Sequence, residues 1–136
     1  MNKLIEFTKS HDVLTRPATL TELTEAEKTL NMTFSAEYKQ WLLNFGVLSY
    51  LSYEFFGLGV KETSWLNILR STPELRQENS NFPASAVPLM DAGDGQFYLY
   101  DNDIGAILVW SSLAGVLEEI SDSLEGFILK QLSSEL

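Results

Sequence analysis

Residues 88–112 read PLMDAGDGQFYLYDNDIGAILVWSS, and their pattern predicts three successive strands at 87–90, 96–100 and 106–110. Two acidic turns that carry glycine divide them, Asp91-Ala92-Gly93-Asp94-Gly95 and Asp101-Asn102-Asp103-Ile104-Gly105. Glycine reaches the positive φ that tight hairpins demand, and Asp and Asn start turns by bonding their own backbone. FYLY and AILVW put aromatic and β-branched side chains where a packed, pleated surface accepts them. The expectation is a meander covered by the helices and edge strands that precede it, with one closing helix after it.

Upstream, residues 2–10 suit a short helix that Arg16-Pro17 ends. Thr19 with Glu22 three residues later is a capping-box pair, after which Leu23, Ala26 and Leu30 recur at helical spacing. Asn31 suits the left-handed residue that closes a helix. Ser35 caps the next one, where Tyr38, Trp41, Leu42 and Phe45 fall at i, i+3, i+4 and i+7, and Gly46 stops it. Residues 47–60 read as two short strands with a bend near Ser52. Trp65, Ile68 and Leu69 share one face of a helix at 62–70, and Pro73 marks a further helical turn at 73–79. Downstream, 115–120 fits strand or helix, and is read as an irregular, partly helical lead-in. Asp122 with Glu125 repeats the capping-box spacing ahead of Leu124, Phe127, Ile128 and Leu132. The expected class is α+β: an antiparallel sheet of about five or six strands with helices on one face and at the ends. One domain is expected over residues 1–136.

The chain has 45% hydrophobic and 21% charged residues and no cysteine, which excludes disulfides and thiolate metal sites. The opening lacks an apolar core because Glu6, Lys9 and Asp12 interrupt it, and no window is long enough to span a membrane. A cytoplasmic protein with no membrane partner is expected. Net charge is -10, and eight of those charges lie in residues 91–136, where nine acidic residues face Lys130 alone. A surface of one sign repels nucleic acid and speeds encounter with basic partners. Solubility alone would also account for it.

Catalytic chemistry has little to work with. His11, the single histidine, sits beside Asp12 in a polar stretch and reads as a surface residue. No HExxH, P-loop or GxGxxG occurs. Asp91, Asp94, Asp101 and Asp103 lack the alternation and final glutamate of a calcium loop, so they read as turn residues first. A small metal-dependent hydrolase built on these turns is the least favoured alternative. Neither a cofactor nor a metal is expected. Trp41 belongs to the core stripe. Trp65 and the Tyr50, Tyr53, Phe55 group fit core packing first and interface anchoring second.

Two stretches together resemble the SUKH superfamily, bacterial immunity proteins related to fungal cell-wall synthesis regulators. The first is Thr24-Glu25-Ala26-Glu27, Leu30-Asn31, Phe34-Ser35, Tyr38-Lys39-Gln40-Trp41-Leu42 and Phe45-Gly46. The second runs from Phe82-Pro83 through Pro88-Leu89-Met90-Asp91-Ala92-Gly93-Asp94-Gly95-Gln96-Phe97-Tyr98 to Asp101, Val109-Trp110 and Ser123-Leu124-Glu125-Gly126-Phe127-Ile128. Asn31, Ser35 and Phe45 stand where that pattern has glycine, proline and asparagine. The resemblance implies a non-enzymatic immunity protein that neutralises a cognate toxin, a basic nuclease-type protein, by occluding it with an acidic surface. Contributing residues would be Asp91, Asp94, Asp101, Asp103, Glu118 and Glu119, with Tyr53 and Trp65 as anchors. A toxin-independent regulatory scaffold is the alternative.

Overall fold

The meander forms as expected and continues for one strand more. The computed structural model describes residues 1–134. In it β4 (Ala86–Gly93), β5 (Gln96–Asp101), β6 (Ala106–Ser111) and β7 (Gly115–Ile120) pair antiparallel in the order β4-β5-β6-β7. Strand β7 replaces the partly helical lead-in expected at 115–120. The sequence misleads here because Val116, Leu117, Glu118 and Glu119 are all exposed, so an edge strand with two wet faces shows no alternation.

The remaining strands build a second antiparallel sheet instead of widening the first. Strands β1 (Leu14–Thr15), β2 (Leu48–Tyr50) and β3 (Tyr53–Phe55) pair in that order. The class is α+β as expected, with seven strands in two sheets where one sheet of five or six was anticipated. The sheets meet where the Phe56 N–H donates to the Leu89 carbonyl at 2.9 Å.

Helices α1 (Asn2–Ser10), α2 (Leu20–Leu30) and α3 (Ala36–Asn44) lie where their periods put them. The Thr19–Glu22 capping box is complete, and Asn31 ends α2 at φ 52° and ψ 52°. Ser35 caps α3, whose Tyr38, Trp41 and Leu42 are buried together with Phe45 at its C-terminal cap. Phe45, the departure from the resembling pattern, stacks at a tilt on Trp41 with ring centroids 5.3 Å apart. Its side chain therefore serves the core.

Two helix boundaries need correction. The helix expected at 62–70 and the turn at 73–79 are one helix, α4 (Ile68–Glu78), with Pro73 inside it. Asn67 sets its start: the buried amide oxygen accepts from Leu69 N–H at 2.9 Å, and Nδ2 donates to the Val60 carbonyl at 3.0 Å. Packing of Ile68 and Leu75 outweighs the hydrogen bond that proline removes. In α5 (Leu124–Ser133) the cap is Ser123, one residue after the predicted Asp122. Glu125 instead accepts from the Leu4 backbone N–H of α1 at 3.1 Å, and Asp122 pairs with Lys130 at 3.1 Å.

Both faces of the larger sheet are covered over β4, β5 and β6. Tyr98 and Tyr100 point one way, against Phe127 of α5 and Tyr38 of α3. On the other face Phe97 meets Phe56, and Trp110 meets Phe82. Helix α1 buries Leu4 and Phe7, the latter edge-on to Tyr50 of β2. His11 is half-buried and stacked on Phe7 at 3.9 Å, so it is not the surface residue that its neighbours implied.

At the far end of the meander, Asn102 ties the sheet to α3. Its buried side-chain oxygen accepts from Ser35 N–H at 2.9 Å. Beside it the Ser35 and Tyr100 hydroxyls share a 2.7 Å hydrogen bond. Burial pushes the Tyr100 phenol up, partly offset by that bond to Ser35. Tyr38 is fully buried and finds no hydrogen-bond partner among the described residues; burial drives its phenol far above the ordinary range.

The smaller sheet and α3 are locked by a backbone junction. Gly46 sits at φ +73°, and a Cβ there would fall 1.8 Å from the Arg16 carbonyl oxygen. Gly59 approaches the same oxygen just as closely. Only a residue without a side chain fits such an approach.

Candidate functional site

The seam between the two sheets opens into a groove of about 400 Å³. Past the Phe56–Leu89 hydrogen bond, β3 and β4 no longer pair, and Tyr53 and Glu54 face Met90, Asp91 and Ala92 across the gap. Trp65 and Leu66 reach it from the loop before α4. That loop is held by Gly57 N–H to the Leu66 carbonyl and Ile68 N–H to the Gly57 carbonyl, both 2.9 Å. Tyr98 of β5 and Gln131 of α5 complete the lining.

Each aromatic wall is fixed by its neighbours. Trp65 is half-buried and sets its ring against Phe56 in an edge contact at 6.0 Å. The Tyr53 hydroxyl shares a 2.8 Å hydrogen bond with Ser134 Oγ after α5. Tyr98 rests on Phe127 at 4.9 Å. Asp91 is exposed, and its Oδ1 accepts from the Gly93 N–H at 2.8 Å, an Asx turn that fixes the carboxylate. Register shifts at Leu89 and Ala92 bring Met90 opposite Tyr98 and Asp91 opposite Phe97. Bulges of this kind re-aim side chains at a sheet edge.

The structure thus brings together three of the eight residues singled out from sequence: Tyr53, Trp65 and Asp91. Asp94 lies nearby at φ 53°, exposed at the tip of the β4–β5 turn. Glu118 and Glu119 lie on β7, opposite Val109 and Leu108, with two strands between them and β4. They form a separate, exposed acidic edge beside Val116 and Leu117. Asp103 is exposed in the β5–β6 turn at the opposite end of the strands.

Asp101 points the other way. It is buried, and Oδ1 accepts from Ser85 Oγ at 2.7 Å and from Asp103 N–H at 2.9 Å. Its carboxylate builds the turn that presents Asp103 and is itself turned away from solvent. Glu135, counted in the acidic third, lies outside the described residues.

Sequence reasoning missed Glu54, Phe56, Met90, Tyr98 and Gln131 as groove residues. Glu54, a lone charge between two aromatic residues on a short strand, carried the only usable local signal. Among the described residues no group of three or more His, Cys, Asp or Glu is placed to hold a metal ion. No helix among them is long and apolar enough to cross a membrane.

Comparison with known proteins agrees with this architecture. The family model SUKH_6, described as SMI1-KNR4 cell-wall, matches residues 20–128. That span takes in α2, α3, α4, both sheets apart from β1, and the start of α5. A crystal structure of a protein from Pseudomonas syringae pv. tomato superposes with a TM-score of 0.75 at 22% identity. The likeness covers 95% of this chain and 96% of that one, and it speaks to the fold alone. No curated protein matches the chain.

Proposed function

The chain belongs to the SUKH_6 family, SMI1-KNR4 cell-wall, and from that membership we propose that it is an immunity protein that binds and neutralises a cognate toxin. The observation that carries this reading is the groove itself, where Tyr53 and Trp65 stand beside Asp91 and Glu54. Aromatic anchors flanked by carboxylates suit a protein partner with a basic surface. A nuclease-type toxin has such a surface, because it must hold phosphate. In this reading the toxin docks its substrate-binding face over the groove. Asp91 and Asp94 then pair with its lysines and arginines, and substrate is excluded. Glu118, Glu119 and Asp103 steer the encounter from further away, and Asp101 holds the turn under Asp103.

The protein acts in this scheme by occlusion in the cytoplasm, as a non-enzyme without a cofactor, and it does not contact nucleic acid. Its net charge of -10 disfavours a phosphate backbone as ligand. The family description, with its reference to the cell wall, favours one second reading: a regulatory scaffold that binds a housekeeping protein.

The test is affinity capture from the protein's own cells, under conditions where the cognate toxin is made, at low and then moderate salt. The expected result is a stoichiometric basic partner that weakens as salt rises and whose toxicity is relieved by co-expression. Capture of a housekeeping enzyme alone would favour the scaffold.

A further inference from the structure

We propose that the groove between β3 and β4 is a receptor for one arginine side chain of the partner protein. This deepens the immunity reading and rests on it for the identity of the partner. The groove combines two features that select a cation with a flat face. Tyr53, Trp65 and Tyr98 supply aromatic surface over a buried Phe56 floor, and Glu54 and Asp91 supply negative charge at its rim. None of its described lining residues is a lysine or arginine, so the two carboxylates have no cation of their own within it.

The chemistry discriminates among occupants. An apolar side chain would strip water from Glu54 and Asp91 and leave both charges without compensation, which is costly. An acidic side chain would be repelled. Lysine answers the charge, but its ammonium is compact and strongly hydrated. Arginine answers both demands: its planar guanidinium stacks on aromatic rings and offers paired N–H donors to a carboxylate. The Asx turn at Asp91 holds that carboxylate in place before any partner arrives, and the Tyr53–Ser134 hydrogen bond does the same for the ring. A preset receptor loses less freedom on binding.

The groove also carries its own reporter. Trp41 and Trp110 are fully buried, whereas Trp65 is half-exposed in the groove wall. The probe is the peptide acetyl-Gly-Arg-Gly-amide, titrated at low salt into the 15N-labelled protein. The uncharged citrulline analogue and the lysine analogue are titrated in parallel. The expected result is saturable movement of the Trp65 indole N–H and the amides of Tyr53, Glu54, Asp91 and Tyr98, with the indoles of Trp41 and Trp110 still. Citrulline should bind about tenfold or more weaker, as the loss of a charge-assisted hydrogen bond requires. Glu54→Gln with Asp91→Asn should weaken the arginine peptide by about the same factor without unfolding the protein.

Equal binding of citrulline, tighter binding of lysine, or movement confined to Glu118 and Glu119 would each overturn the inference. The same double variant is then tested against the captured toxin. A toxin held as tightly by the variant as by the parent sinks the arginine receptor and leaves the immunity reading intact. Absence of any toxin partner sinks the immunity reading, while the peptide titration still decides what the groove binds.

Discussion

Gly46→Ala and Gly93→Ala add the same methyl group to two backbones of similar conformation, φ +73° and +83°. Both variants carry the left-handed strain of a residue with a Cβ, about 1–2 kcal/mol. They differ in what the methyl meets. At Gly93 nothing lies within 4 Å. At Gly46 the new carbon would fall 1.8 Å from the Arg16 oxygen and 2.7 Å from the Leu58 oxygen, where ordinary contact begins at 3.4 Å. Backbone on both sides must retreat. The hydrogen bonds from Arg16 N–H to the Phe45 carbonyl at 2.9 Å and from Leu58 N–H to the Gly46 carbonyl at 3.0 Å are then lost. At about 1 kcal/mol net each, these bring Gly46→Ala to about 3–4 kcal/mol. The difference between the variants is therefore about 2 kcal/mol, or roughly 6–10 °C in melting temperature for a domain of this size. Equilibrium urea unfolding followed by tryptophan fluorescence measures it, given matching m-values. Two variants that agree within about 0.5 kcal/mol would refute the argument that the Arg16 junction is closed by contact.

Three further outcomes are expected. Asn102→Ala leaves the Ser35 N–H of α3 without its acceptor and should cost about 2 kcal/mol in chemical denaturation, with Asp103→Ala near neutral as the surface control. Tyr38 and Tyr100 both have folded values raised above the ordinary 10.0. Their contribution is complete below that value and is lost as pH climbs past it, because the unfolded chain ionises first. Tyr38→Phe should therefore soften the alkaline loss of stability in a pH series of urea melts while leaving neutral-pH stability equal or higher; an unchanged alkaline limb would contradict this. Glu118→Lys with Glu119→Lys reverses charge on the exposed edge strand. It should leave the melting temperature within about 2 °C while slowing association with the proposed toxin partner and flattening its salt dependence, read by stopped-flow mixing.

Local rules made much of the fold legible, and long-range pairing concealed the rest. The Thr19 and Ser35 caps, the Tyr38–Phe45 stripe and the two acidic turns each act within a few residues, so the chain displays them directly. Pro73 misled because proline marks helix starts more often than interiors, and the burial that tolerates it at α4 depends on distant residues. The division into two sheets was hidden for a similar reason. It turns on β3 and β4 lying side by side without pairing, and the smaller sheet draws in a two-residue strand, Leu14–Thr15, whose partners Leu48 and Ser49 lie on the far side of two helices. Of the groove, Tyr53 and Trp65 were visible as aromatic types that interfaces favour, and Asp91 as one of a run of acidic turn residues suited to a basic partner. That they converge depends on the seam between β3 and β4, and neither strand encodes a seam by itself. Asp101 looked like its neighbours in a run of acidic turn residues. Only the inward turn toward Ser85 separates it from Asp103.

The contact between the first and last helices has a consequence in time. The Leu4 N–H finds its acceptor in Glu125, 121 residues later. At a synthesis rate of about 5–20 residues per second, that acceptor emerges roughly 6–24 seconds after Leu4 does. Once Tyr50 of β2 has emerged, α1 can settle against it, but for the rest of that interval it has no α5 to lie on. The fold closes only when its final helix is made. On the immunity reading proposed above, a chain truncated before α5 lacks this contact and should fail to protect its cell, a loss that co-expression of the truncated chain with the toxin would read.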